Sequence, residues 1–186
     1  AGATGGESLF YPDGVSGITP VIANNLSSAP YTVPSGKTFY LTSYYSEAGS
    51  GTYLSVGGIT VYRDYAGYSN NGGLRQPLIA ASGESVASNN NSTAINGFLI
   101  TGTVAPLTKT GLSSSPYTVP SGKMLFITNY YSEAGSGTYL YMDGKALYRD
   151  YSNYSNNGSL RQPLIINAGS VVSSSSDATS INGYLR

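Results

Sequence analysis

The sequence predicts an all-β chain of two tandem β-sandwich, jelly-roll-like domains preceded by an extended N-terminal arm, and three observations carry that expectation. The stretch YYSEAGSGTYL occurs twice unchanged, as Tyr44 to Leu54 and as Tyr130 to Leu140, 86 positions apart. Carrying that offset outward aligns YTVPSGK, YRDY, YSNNG, LRQPLI and ING without a gap. Repetition at a fixed offset marks one structural unit used twice, so an internal duplication is expected. Finally, no segment shows helical periodicity, while short alternating runs are broken by turn signals about every eight to twelve residues, the pattern of a sandwich. The expected division is an arm at 1–16, a first repeat at 17–101 and a second at 102–186.

Each element follows from local chemistry. Residues 1–16 have no counterpart before the second copy; Leu9-Phe10-Tyr11 is a short apolar run that Pro12-Asp13-Gly14 closes with a turn, and so exposed a run needs a surface to pack on. Val33 precedes Pro34 and is therefore extended, with Pro34-Ser35-Gly36 read as a type I-like turn. The next strand alternates Phe39 and Leu41 on one face with Tyr40, Thr42 and Tyr44 on the other. In the second copy these become Leu125 and Ile127 against Phe126, Thr128 and Tyr130, an exchange at similar volume, as in a core. Gly57-Gly58, matched by Asp143-Gly144, tolerates the positive φ of a two-residue hairpin turn. A plain hairpin there sets Leu54 opposite Val61 and Tyr53 opposite Tyr62, with Tyr139 and Tyr148 repeating the pair. Pro77 and Pro163 within LRQPLI demand an edge strand or a bulge.

Composition excludes several kinds of chemistry. The chain of 186 residues has no Cys, His or Trp, which removes disulfides, zinc-type sites, thiol nucleophiles and histidine acid–base work. Nine basic residues balance nine acidic ones, only a tenth of the chain, so there is no electrostatic footprint for nucleic acid. No apolar run approaches the ~20 residues of a spanning helix, and membrane insertion is not expected. The start shows neither an initiator Met nor a signal-peptide pattern, and reads as that of a mature or trimmed chain. Solubility rests on hydroxyls and amides, 18 tyrosines among them, and near-zero net charge leaves little repulsion between copies.

The candidate residues form four groups. Glu47, Arg63, Asp64 and Arg75 recur as Glu133, Arg149, Asp150 and Arg161. A Glu47 and Asp64 pair has the residue types of a glycosidase acid and base, but the same four side chains suffice as loop-pinning ion pairs, with Arg63 placed near Glu47, and no enzymatic activity is expected. Tyr40, Tyr44, Tyr53, Tyr62, Tyr139 and Tyr148 fall on one outward face and suit contact between subunits or stacking on sugars; the absence of a Trp platform favours subunits. Asn25, Asn90, Asn91, Asn153 and Asn157 begin Asn-x-Ser/Thr glycosylation sequons. Asp13, Asp143 and Asp177 are isolated and form no calcium loop, so neither metal nor cofactor is expected.

These features lead to a functional expectation: a structural subunit of an extracellular filament or fibre, joined to itself head to tail, with Leu9, Phe10 and Tyr11 as the segment that completes a neighbour's open sheet. The pattern resembles pilin-like subunits and phage or virion fibre proteins built from tandem jelly rolls, which implies a place at the surface of a cell or virion and leaves a viral fibre or capsid-decoration role open. A tandem carbohydrate-binding module, with two sites raising avidity for a polysaccharide, is the alternative from another class.

Overall fold

The computed structural model describes residues 9–47, 51–64, 71–133, 137–149 and 159–186. The first half forms β1 (Thr19–Asn24), β2 (Tyr31–Thr32), β3 (Thr38–Ser46), β4 (Thr52–Val56), β5 (Ile59–Asp64), β6 (Asn71–Ala80), β7 (Ser85–Ser88) and β8 (Thr93–Ile100). The second half forms β9 (Ala105–Thr110), β10 (Tyr117–Thr118), β11 (Leu125–Ser132), β12 (Tyr139–Met142), β13 (Lys145–Arg149), β14 (Ser159–Ile166), β15 (Val171–Ser174) and β16 (Thr179–Leu185). Among the described residues there is no helix.

Four antiparallel sheets of four strands result, and they pair into two β-sandwich-like domains. Sheet order β1-β8-β3-β6 faces β2-β7-β4-β5, and the second half repeats this as β9-β16-β11-β14 facing β10-β15-β12-β13. The proline-bearing strands β1, β6, β9 and β14 are all edges, where a missing N–H breaks no ladder. Between the first pair of sheets lie Phe39, Leu41, Leu54, Val56, Leu78 and Val86. Leu125, Ile127, Leu140, Ile166 and Val172 occupy the corresponding space in the second.

Three local expectations are corrected. The register of β3 shifts between Leu41 and Ser43: against β8 these pair with the adjacent Gly97 and Asn96, so Thr42 is an inserted residue, a β-bulge, and the alternation reverses beyond it, while on the other side β6 runs on from Leu78 to Gly73 over the same step. Tyr44, predicted on the outward face, therefore joins Phe39 and Leu41 in the core. The same shift in β11 puts Tyr130 with Leu125 and Ile127. In the hairpin, Val56 pairs with Ile59 around the expected two-residue turn, with φ of 58° and 80° at Gly57 and Gly58, but a second bulge at Val61 sets Leu54 opposite Tyr62 and Tyr53 opposite Arg63. Tyr62 turns inward and meets Tyr44 edge-on at 5.4 Å; Tyr148 meets Tyr130 likewise at 5.3 Å. Last, the Pro34 turn is type II: Lys37 N–H reaches Pro34 C=O at 3.2 Å while Gly36 has φ 71°, a conformation a side chain disfavours.

The bulges explain the repeated Gly of ING. A Cβ on Gly97 would stand 2.2 Å from Tyr40 O, and one on Gly183 would stand 2.0 Å from Phe126 O. Only glycine lets the neighbouring strand come that close.

Candidate functional site

Among the described residues, a connected set of buried amides and hydroxyls lies where the two domains meet. The edge formed by β5 and β6 is laid on the outer face of the sheet containing β9, β11, β14 and β16. An edge strand presents unpaired N–H and C=O groups, and burying them unpaired costs about 1–3 kcal/mol each. Asn182 meets that need. Its Oδ1 accepts Ile79 N–H at 2.8 Å, its Nδ2 donates to Ile79 C=O at 2.7 Å and to Thr108 Oγ1 at 2.9 Å. A side-chain amide offers the donor and acceptor of a peptide group, so Asn182 pairs with the edge as a further strand would. Asn129 Nδ2 donates to Pro77 C=O at 3.2 Å, and the Ser180 hydroxyl donates to Thr60 C=O. Both Asn129 and Asn182 are buried.

Below these amides, Tyr40, Ile79, Ile100, Val104, Phe126 and Tyr184 form an apolar cluster drawn from both domains. Phe126 and Tyr184 stack at 4.7 Å, and Tyr40 and Phe98 stack at 5.3 Å. The arm closes the crevice. Tyr11 packs 6.0 Å from Tyr40 and 5.5 Å from Phe98, and Leu9 C=O accepts from Tyr184 OH at 3.0 Å. The turn at Pro12-Asp13 is present, with Gly14 N–H on Tyr11 C=O at 2.8 Å. It aims Asp13 at the segment joining the domains: the carboxylate accepts from Tyr40 OH at 2.7 Å, Thr103 N–H at 2.6 Å and Val104 N–H at 3.3 Å. Burial, with the Asp13 hydrogen bond behind it, raises the Tyr40 phenol well above the ordinary tyrosine range. Burial pushes Tyr184 up to about 12.

The predicted residues fall in several places. Leu9, through its carbonyl, and Tyr11, through its ring, are held on their own chain, and Phe10 is half-buried. Tyr40, expected outward, does face away from its sandwich core, but the second domain and the arm bury it. Tyr44, Tyr62 and Tyr148 are turned inward by the bulges described above. Tyr53 and Tyr139 are half-exposed, each with a guanidinium over its ring, Arg63 at 4.6 Å and Arg149 at 4.9 Å. Glu47 accepts from Tyr45 OH at 3.0 Å, a bond that raises the Tyr45 phenol, and Glu133 accepts from Tyr131 OH at 3.4 Å. Arg75 and Arg161 are exposed. The Asp64 side chain, Asp150, Asn153 and Asn157 lie outside the described residues. Asn25 is exposed at a turn with φ 56°, Asn90 Oδ1 accepts Ser92 N–H at 2.7 Å, and Asn91 Oδ1 accepts Ser28 N–H at 2.8 Å.

Sequence reasoning missed Asn182, Asn129, Asp13 and Tyr184. A signal was available for Asn129, and with it for Ser180: they stand where the first repeat has Ser43 and Ala94, a longer donor in one case and a new hydroxyl in the other. Among the described residues no group of three or more Asp, Glu, His or Cys is placed to hold a metal. A cleft of about 250 Å³ opens at the same junction, between Gly58, Ile59 and Thr60 on one side and Tyr131, Glu133 and Asp177 on the other. The comparisons with protein families, with curated proteins and with solved structures each returned no match.

Proposed function

We propose that this chain is a structural subunit that associates with copies of itself, head to tail, into a filament or fibre outside a cell or on a virion, and that it performs no reaction. The observation that carries this reading is the junction itself, in which two domains of matching strand order meet through unlike surfaces, an edge against a face. Contacts between unlike patches do not close a pair, so their repetition gives an open polymer. The strand orders, repeated with the repeated sequence, support reading the domains as two jelly rolls from an internal duplication, bounded at 17–101 and 102–186. Low charge and a hydroxyl-rich exterior support contact between copies.

Strand exchange by Leu9, Phe10 and Tyr11 is one mode for such a polymer, and it requires the arm to leave Tyr40, Phe98 and Tyr184. Sedimentation velocity over a concentration series tests the reading: species that grow with concentration are expected, and single particles at high concentration would contradict it. Deleting residues 1–16 then isolates the arm. Folded monomers support exchange, whereas unchanged polymers exclude it and leave self-association standing.

A carbohydrate-binding module is the second reading, favoured by one observation: half-exposed Tyr139 and Tyr141 stack at 5.8 Å on β12. Arg149 over the Tyr139 ring competes with a sugar for its face. Glycan-array binding by a monomer, lost in Tyr139→Ala, would establish it over the first.

A further inference from the structure

Positions 86 apart have opposite fates on the outside of the two domains, and the pattern is directional. On the edge, Ile79 is fully buried and its counterpart Ile165 is 51% exposed. Gln76 is buried and Gln162 exposed. On the face the inequality runs the other way: Tyr131 is 1% exposed and Tyr45 36%. Asn182 is buried and Asn96 exposed. Ile22, which pairs with Asn96 as Thr108 pairs with Asn182, is 79% exposed. The second domain thus carries an uncovered copy of the edge that the first domain uses, and the first domain a copy of the face that the second uses, open at Ile22, Tyr45 and Asn96 and capped by Tyr11 at Tyr40 and Phe98.

From this we infer that, in the polymer proposed above, the β13–β14 edge of one chain docks on the outer β1-β8-β3 face of the next, reproducing the internal junction between chains. The inference rests on that reading of self-assembly and specifies its surfaces. Asn96 takes the place of Asn182, its amide meeting the backbone N–H and C=O of the next copy's Ile165. That edge C=O and N–H belong to a terminal strand of their sheet, as those of Ile79 do. The Ile165 side chain lies toward Phe98 and Tyr11, as Ile79 lies in the cluster with Phe126 and Tyr184. The arm stays where it is.

Charge supplies an independent argument. At the internal junction Ile59 lines the same cleft as Glu133. Their counterparts are Lys145 and Glu47, both exposed and of opposite sign. The substitution of Ile59 by Lys145 leaves a cation on the free edge where the free face offers a carboxylate. Conversely, Asn129 and Ser180, which donate to edge carbonyls inside the chain, are Ser43 and Ala94 on the free face. The contact between chains has fewer hydrogen bonds than the contact within one, and so is the weaker of the two.

The test uses two full-length variants, Ile165→Asp on the edge and Ile22→Asp on the face, both at exposed positions outside the sandwich cores. Each alone is expected to fold with the wild-type melting profile and to associate at least about tenfold more weakly than wild type. Mixed in equal amounts they are expected to form one-to-one pairs and stop there, because the intact edge of one fits the intact face of the other. Polymers from either variant that match wild type, or blocked variants that fail to pair on mixing, would overturn the inference while leaving self-assembly intact. A wild-type chain that stays monomeric would overturn both.

Discussion

The two domains share strand order, bulge positions and core chemistry, yet their outer surfaces differ in what covers them. Tyr131 and Tyr45 occupy matching places after matching bulges, one buried under a neighbour and one facing solvent. The sandwich alone therefore does not decide which side chains are buried; the neighbour does. Sequence differences between the repeats follow that division. Donors able to reach edge carbonyls, Asn129 and Ser180, appear on the covered face, and a lysine replaces Ile59 on the uncovered edge.

The comparison can be broken most severely at the feature both domains share. Gly97→Ala and Gly183→Ala each drive a methyl into a backbone carbonyl, and each is expected to cost about 3 kcal/mol or more by overpacking. Denaturant unfolding checks this, and similar losses at both positions are the expected result because the two clashes are alike, a methyl against the carbonyl of the paired strand. The two domains should separate at the next pair. Asn182→Ala leaves Ile79 N–H and C=O buried without a partner and is expected to cost about 1–3 kcal/mol. Asn96→Ala, exposed in the single chain, is expected to stay within about 0.5 kcal/mol at concentrations where the protein is monomeric.

Alkaline pH addresses the junction through its phenols. Tyr184 moves from its ordinary 10.0 to about 12, and Tyr40 is raised further by burial and Asp13. A raised folded-state value means that the stability these groups contribute is whole below pH 10.0 and is lost as pH climbs through about 12. Absorbance at 295 nm with circular dichroism is expected to show exposed tyrosines ionising first and these two only together with loss of structure. Smooth titration of all tyrosines in a folded chain would refute the assignment.

Smaller still is the charge pair between chains. Lys145→Glu is expected to weaken association a few-fold, since an exposed ion pair contributes about 0.2–1 kcal/mol, and Glu47→Lys in the same chain is expected to restore it. The least effect belongs to Asp177, whose counterpart is Asn91. Hydrogen bonds from the Ser114 and Ser113 amides hold its carboxyl below the usual carboxylate range, so its contribution is present above the ordinary 3.8 and is lost as pH falls through the lower value. Protection from hydrogen exchange at Ser113 and Ser114, relative to the intrinsic rate at each pH, is expected to fall in acid, while the protection of Ser28, held by the uncharged Asn91, does not respond.

Much of the fold was legible because turns and edges are written in single residues. Gly57-Gly58 and Asp143-Gly144 place the hairpins, and Pro77 and Pro163, read as an edge strand or a bulge, lie in edge strands. The bulges at Thr42 and Val61 were not legible, because an inserted residue leaves composition and spacing unaltered and only reverses which side chains face inward. That reversal moved Tyr44, Tyr62 and Tyr148 from a supposed contact surface into the cores. The junction was hidden for another reason: Asn182 acts through the backbone of Ile79, more than a hundred residues away, and no local pattern encodes such a partner. What the sequence does carry is the contrast between repeats, which becomes informative once one copy of each surface is known to be covered.

Helical reconstruction of the assembled protein by electron cryomicroscopy tests the central claim most directly. The account predicts an even train of domains in which the step from one chain to the next superimposes on the step inside a chain, with Asn96 against Ile165. Symmetric pairing of like faces, or chains joined only through Leu9 to Tyr11, would contradict it.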